Sequence, residues 1–577
     1  MNSLLLAVIM LVGYFVAYHT YGKFLARKIF KLNPEAVCPS TALEDGHDFV
    51  PSKKHVLFGH HFTSIAGLGP IVGPAIAIIW GWVPAVIWVF FGAIFFGAVH
   101  DFGALVVSLR AQGRSIGDLA ADVVNKRVRT LFLLIIFFEL WIVIAVFGLI
   151  VAILFTMYPV AVIPVWFELV IAFYLGRYFL KKGKDIFWPS IFAVIIMYAT
   201  VVLGAYVPVD FTVIFGMSGK WALISWIIIV FVLDAWLASS LPIQTLLQPR
   251  DFINSHQLVI AMVLVALGII VAHPVIVAPA TNFAAEGAPA VWPFIFVIIA
   301  CGAISGFHSL VSSGTSSKQC NTESDAQFIG FGSMLMEGSL STLVIVAVAA
   351  GIGIGLVADG GEVLTGAAAF NHHYASWGAA NGLASKIGAF IFGAANMIMA
   401  YGVPEKIALA IMAVFIVSFA ATTVDSATRI QRYVVVELAS AWKLKFLTGR
   451  QIATMFAVGT AIILAFYDGS GKGALKLWPL FGTVNQLLAG LGLLVVTIYL
   501  ARKKINILYS CIPMIFMVIM TTWAMVLNIQ GYFNTSNWLL FCIGLAVFLL
   551  EVWMIFESIV VLKTVYGKEE GLPATIS

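Results

Sequence analysis

The sequence predicts an all-α integral membrane protein, a polytopic helical bundle of about 15 spans. Three observations lead there. Of 577 residues, 62% are hydrophobic and only 10% charged, with a mean hydropathy of +1.03; soluble domains carry about 25% charged residues. Apolar runs long enough for the roughly 30 Å hydrocarbon core recur along the whole chain, leaving no room for a soluble domain. Finally, Lys and Arg are confined to alternate loops. The formal charge of +5 therefore reports membrane sidedness and is no nucleic-acid signal.

Spans are placed near 3–22, 62–80, 84–109, 131–156, 161–176, 186–206, 221–246 and 257–279 in the first half. The second half gives 291–314, 328–356, 405–426, 452–467, 477–501, 506–529 and 537–562. The first run, Leu4–Ala17, has no basic residue before it and no small-residue cleavage pattern after it, so a retained span is expected. Between 357 and 402 a shorter apolar piece, Ile387–Met399, reads as re-entrant or interfacial. Cys38, Cys301, Cys320, Cys511 and Cys542 are scattered without CxxC spacing, as ordinary buried thiols would be.

With the N-terminus outside and every span alternating, 27 of the 32 Lys and Arg fall inside. The inside set includes Lys23, Arg110, Arg177, Arg250, Lys318, Arg429 and Lys568; only Lys220, Lys386, Lys406, Lys472 and Lys476 fall outside. Counting Ile387–Met399 as a span would send Arg429–Arg450 outside. The expectation is therefore an outside N-terminus and an inside C-terminus. It divides the chain into a peripheral span in 1–30, a core over 59–501 with halves near 59–280 and 291–501, and peripheral spans with a cytoplasmic tail in 506–577.

Two spans carry residues that membrane helices avoid. In GHHFTSIAGLGPIVGP (59–74), Pro70 and Pro74 lack a backbone donor, and Gly67, Gly69 and Gly73 ease departure from helical geometry. GAISGFHSLVSSGTSSK (302–318) is the second such stretch. Freed carbonyls survive in lipid only inside protein or beside a water-filled cavity, and many secondary transporters build a midplane site from such broken helices. The alternation gives the two stretches opposite directions, as inverted-topology repeats require.

Ionisable residues at membrane depth are functional candidates by default. His100 and Asp101 read as a proton relay, or as an aspartate held by a helix terminus or by Arg110. Ser305, Gly306 and His308, with Ser312 and Ser313 beyond them, offer hydroxyls and free backbone donors suited to a carboxylate. The alternative there is a polar helix–helix contact. Lys318 reads as a snorkelling residue near the inner surface. His60 and His61 lack metal-ligand spacing; interfacial hydrogen bonding is expected, with a proton-coupling role open to one of them, and no metal site. Thr422, Thr423, Asp425 and Ser426, at the inner end of 405–426, supply hard oxygens for a sodium ion, completed by carbonyls near Ala66–Gly69. Against this stands a helix C-terminus with Asp425 pairing Arg429. Glu139, Asp234 and Glu337 are buried candidates with no assigned partner.

Seven segments together resemble the carbon starvation protein A (CstA) family of bacterial inner-membrane transporters. They are GHHFTSIAGLGPIVGP (59–74), GAVHDF (97–102), GRSIGDL (113–119), ASSLPIQTLLQPRDFIN (238–254), GAISGFHSLVSSGTSSKQ (302–319), GFGSMLMEG (330–338) and ATTVDSATR (421–429). The resemblance implies uptake of pyruvate or small peptides with proton coupling, in the bacterial cytoplasmic membrane. It also implies a LeuT-like inverted repeat in which 62–80 and 291–314 are the two discontinuous helices, 405–426 carries a sodium-site hydroxyl pair, and extra helices lie at the periphery.

The resulting expectation is a secondary active importer, not an enzyme, working by alternating access on a small carboxylate or small peptide. Its substrate site would involve His61, Gly67, Gly69, Pro70, Ser305, Gly306, His308, Ser312 and Ser313. A proton or sodium ion would couple through His100, Asp101, Thr422, Thr423, Asp425 and Ser426, sodium resting on Ala66, Thr422, Thr423 and Ser426. No other cofactor, no metal and no nucleic-acid partner is expected, and nothing specifies an oligomeric state. The rivals are a passive channel and, from the enzyme class, a membrane metallo-hydrolase using His60, His61 and Asp101.

Overall fold

A computed structural model of the chain describes residues 2–182, 184–358 and 360–565. In chain order the first half holds α1 (Ser3–Ile29), the bent pair α2 (Lys54–Ile65) and α3 (Gly69–Trp80), α4 (Trp82–Leu109), the short α5 (Ile116–Val123), α6 (Lys126–Met157), α7 (Pro159–Tyr178), α8 (Phe187–Tyr206), α9 (Gly219–Ala238) and α10 (Leu247–Ala272). The second half follows with α11 (Val291–Ile298), α12 (Gly306–Gly314), α13 (Glu323–Ile354), α14 (Gly366–His373), α15 (Leu383–Met399), α16 (Glu405–Ala441), α17 (Arg450–Phe466), α18 (Gly473–Arg502), α19 (Leu508–Asn534) and α20 (Trp538–Thr564). A two-residue hairpin, β1 (Leu356–Val357) against β2 (Val363–Leu364), is antiparallel.

Among the described residues twelve helices are long and apolar enough to cross a membrane, and the bent α2–α3 pair makes a thirteenth. This is a multi-pass membrane protein. The two remaining expected spans are the interrupted pair α11–α12 and the 17-residue α17. Burial sorts the helices into layers. The most apolar windows of α18, α13 and α16 are 100%, 94% and 89% buried and form the centre; those of α1, α19 and α20 are 33%, 39% and 28% buried and form the rim. The large apolar side chains left exposed on rim helices, such as Phe15, Ile515 and Phe556, are what a lipid-facing surface needs.

Both expected breaks are present, and they touch. Ala66 leaves helical geometry at φ −79°, ψ 54°, Pro70 opens α3, and the two halves bend by 46°. In the other stretch Ile299 (ψ 74°) ends α11, Gly302 turns through φ +87°, and Ser305 enters α12 from extended backbone. A Cβ on Gly73 would collide with the Ile298 carbonyl, and one on Gly69 with the Cys301 side chain; Gly302 faces Ser341 and Pro70. The glycines are there because two backbones share that space.

Several boundaries differ from expectation for one reason: hydropathy windows stop at charges that the fold neutralises internally. α10 begins ten residues before the expected 257, so Arg250, Asp251 and Asn254 lie inside it, and Arg250 is a buried ion-pair partner instead of an inner-loop charge. α16 runs for 37 residues, which puts Thr422–Ser426 mid-helix and not at its end. Lys386, expected in an outer loop, is 96% buried beside the Trp478 ring. α15 is a 17-residue helix packed on α3, α10 and α16. The expected C-terminal tail, 566–577 with Lys568, lies outside the described residues.

Candidate functional site

The first break separates two buried polar clusters, and the adjacent histidines of α2 reach one each. About 100° of helical rotation divides neighbouring residues, so His60 and His61 face different walls. The His60 Nδ1 is 2.5 Å from Asp251 Oδ2 on α10, while the His61 Nδ1 is 2.7 Å from Ser316 Oγ just beyond α12. Both rings are fully buried, which corrects the expectation of an interfacial pair.

The cluster around α12 is built on His308. Its Nδ1 lies 2.9 Å from Asp101 Oδ2 on α4, and its Nε2 lies 3.4 Å from Glu337 Oε2 on α13. His100 Nδ1 takes the other Asp101 oxygen at 2.7 Å. Asp101 is thus held by two imidazoles, and the Arg110 pairing weighed for it does not form; Arg110 bonds Glu323 and the Phe30 carbonyl. Glu337 accepts no hydrogen bond at either oxygen. The Cys301 thiol, an imidazole nitrogen of His308 and a Glu337 oxygen lie within 4.8 Å of one another.

At the start of α12, Asn485 of α18 accepts from the Phe307 N–H at 2.9 Å and bonds the Ser305 hydroxyl, so part of the expected free donor set is already capped. A Cβ on Gly306 would strike the Asn485 carbonyl. Ser313 is likewise taken up, accepting from the Ile116 N–H of α5 at 3.0 Å. Ser312 Oγ and His61 Nε2 are buried with no partner among the described residues. Lys318 is half-buried, and its ammonium lies 3.8 Å over the Tyr433 ring.

The cluster around α2 and α10 is ionic. Arg250 bridges Glu168 on α7 (3.2 Å) and Asp234 on α9 (2.6 Å), and Glu168 also accepts from Asn254 and from Ser418 on α16. Ser64 donates to Asp251 and meets Ser426 at 3.1 Å. Thr422 and Thr423 both donate back to carbonyls of their own helix, which leaves oxygen lone pairs for a cation. Gly67 sits against Thr423 Oγ1, so the hydroxyl and the first break share one place. Asp425 is buried with both oxygens unpartnered. Its expected partner Arg429 instead bonds Asp48 and the Leu241 carbonyl. Glu139 is also buried and unpartnered.

Residues 33–52 form a strap over the ends of these helices. Val50 and Ser52 donate to the Lys318 and Gln319 carbonyls, and the His47 carbonyl accepts from Ile243. Asp48 pairs Arg429 at 3.2 Å and Arg432 at 3.3 Å. Burial works against ionisation of Asp48, but the two guanidinium groups outweigh it and hold the carboxyl at about 2. A cavity of about 590 Å³ opens beside the strap, lined by Asn33, Cys38, Arg110, Gln112, Glu323 and Lys503 among others and by no residue of either break.

Glu168, Asp251, Asn254 and Asn485 are the site residues that sequence reasoning missed. The Arg-Asp pair in LLQPRDFIN was the available signal: two opposite charges against an apolar run lie in a helix, not a loop, when partners exist to receive them.

The profile of the family described as "Carbon starvation protein CstA" matches residues 2–524. The peptide transporter CstA of Escherichia coli K12 is 31% identical over 562 residues, covering 87% of this chain and 77% of that protein. The pyruvate/proton symporter BtsT of the same organism is 30% identical over 594 residues, covering 91% and 82%. The CstA of Bacillus subtilis 168 is 30% identical, covering 93% and 91%. Among solved structures, a mutant of the Eremococcus coleocola manganese transporter aligns with 90% of this chain at 12% identity and a TM-score of 0.47. By the extent of the profile match and the identity to these relatives, the chain belongs to the CstA family of membrane transporters, and it is not an enzyme.

Proposed function

We propose that this chain is a secondary active importer of a small carboxylate such as pyruvate, or of small peptides, driven by a cation gradient across the cytoplasmic membrane. Its scaffold would be a LeuT-like inverted repeat of about 15 crossings, with the N-terminus outside and peripheral helices at either end. The observation that carries the proposal is the contact of two interrupted helices, Gly73 against Ile298 and Gly69 against Cys301, with unpartnered buried polar atoms on both sides. The substrate's carboxylate would take the free His61 Nε2 and Ser312 Oγ and the backbone of the Gly67–Pro70 and Ser305–Gly306 breaks. Relatives named as a peptide transporter and as a pyruvate/proton symporter support both substrate classes and favour a proton as the coupling ion.

A sodium reading has its own support in the nearness of Thr423 Oγ1 to Gly67 and of Ser64 to Ser426. The proposal needs no cofactor beyond the coupling cation. Uptake of labelled pyruvate and of dialanine into proteoliposomes, under separately imposed proton and sodium gradients, tests it. Accumulation against the substrate gradient under one of them is expected. Equilibration alone under every condition would mark a channel.

A further inference from the structure

We propose that Glu337 is the carboxylate that carries the coupling proton, with His308 as its relay partner and Asp101 as a fixed counter-charge. The inference rests on the importer reading and names the group on which its driving force acts. Four helices supply the surroundings. His308 on α12 lies between the carboxylates of Asp101 on α4 and Glu337 on α13, so the helix that follows each break contributes one acid to a single imidazole. His100 completes Asp101, His61 on α2 stands at the adjoining wall, and the Cys301 thiol closes the group; among the described residues no Lys or Arg is paired into it.

The two acids are unequal in their bonding. Asp101 receives an imidazole at each oxygen, at 2.7 and 2.9 Å, and keeps its charge at little cost. Glu337 receives no such side-chain hydrogen bond, only the approach of the Gly302 backbone and of His308 Nε2, and it is fully buried. An ionised carboxylate so poorly supplied with donors is disfavoured in a buried interior. Glu337 therefore needs one proton, either on its own oxygen or on His308 Nε2 at 3.4 Å. The balance is simple: a proton from the outer water binds this pair with the substrate and leaves to the inner water with it. Departure of that proton strands a buried negative charge, which biases the cluster toward opening or reloading. Such a Glu–His pair beside a fixed Asp suits proton movement because either member of the pair can hold or pass a proton without a water path. Glu337 sits in the middle of α13, whose 32 residues cross the buried centre, so the pair is placed where access can switch sides.

The test uses the full chain in proteoliposomes, with pyruvate and dialanine as probes, and compares two readouts. Counterflow exchanges labelled for unlabelled substrate without net proton movement. Accumulation under an imposed pH gradient requires coupling, and one coupled proton supports about tenfold accumulation per pH unit. Glu337→Gln, which fixes a neutral amide, should retain counterflow and lose the accumulation, and its counterflow should no longer vary with pH. Glu337→Asp should still accumulate, with a displaced pH profile. Four outcomes would overturn the inference. Glu337→Gln could accumulate like the parent, or lose counterflow and accumulation together while remaining folded. Glu337→Asp could keep the parental pH profile. The purified parent could hold one zinc ion per chain that Cys301→Ser releases. Failure of the parent itself to accumulate either probe would instead strike the importer reading, and the inference with it.

Discussion

Arg250 sets the energetic stakes at the scale of single residues. A guanidinium with no exposure, held by Glu168 and Asp234, leaves two buried carboxylates without a cation when it is removed. Breaking a buried pair of this kind costs about 3–5 kcal/mol. Arg250→Met should therefore lower the melting temperature in detergent more than any single substitution on rim helix α20; an unchanged melt would dismiss the network as a stabiliser. Thr423 offers a second test at this scale. Its hydroxyl serves its own helix and also faces Gly67, so Thr423→Val should abolish any sodium stimulation of uptake while sparing proton-driven uptake. Loss of both together would place Thr423 in packing instead. The orphan Asp425 belongs to the same experiment, because an unpaired buried acid beside the proposed cation site should matter to ion dependence.

Two devices act at the scale of elements. The contact of the breaks depends on missing side chains: Gly73→Ala pushes a methyl into the Ile298 carbonyl, and overpacking of this kind costs about 1–3 kcal/mol. Counterflow should fall with it, whereas Gly459→Ala on α17, where nothing crowds the Cβ, should leave transport alone. The strap over 33–52 is the other device. The Asp48 carboxyl is held at about 2, below an unfolded value of about 3.9. Its stabilisation of the strap is thus complete above about pH 4 and is lost as the pH falls toward about 2. Asp48→Asn should loosen the strap above about pH 4 and match the parent as the pH falls toward about 2. The readout is the labelling of Cys38 and Cys320, which the strap buries, by a membrane-impermeant maleimide from the strap's side of the membrane. Labelling no faster than in the parent would show that other contacts hold the strap.

At the scale of the whole molecule the prediction concerns the path of the chain across the bilayer. Among the described residues twelve long helices and one bent pair have the length and apolarity to cross, and the alternation proposed from Lys and Arg adds α11–α12 and α17 as crossings. Cysteines placed at Ser470 and at Lys445 bracket α17. The alternation expects labelling from outside at the first and from inside at the second, and labelling from one side at both would return α17 to the surface. Membrane character, the two breaks and most span positions were legible in the sequence because they depend on local quantities: apolarity over twenty residues, and the backbone habits of Gly and Pro. The start of α10 and the length of α16 were not legible. Arg250, Asp251 and Arg429 read as loop charges until their partners, from distant parts of the chain, are known. By itself the sequence determined that this chain lives in lipid and interrupts two of its own helices. Only the tertiary structure decided that those interruptions meet, and that His308 stands between Asp101 and Glu337, because pairing between residues some 200 positions apart is set by how helices pack and leaves no trace in local composition.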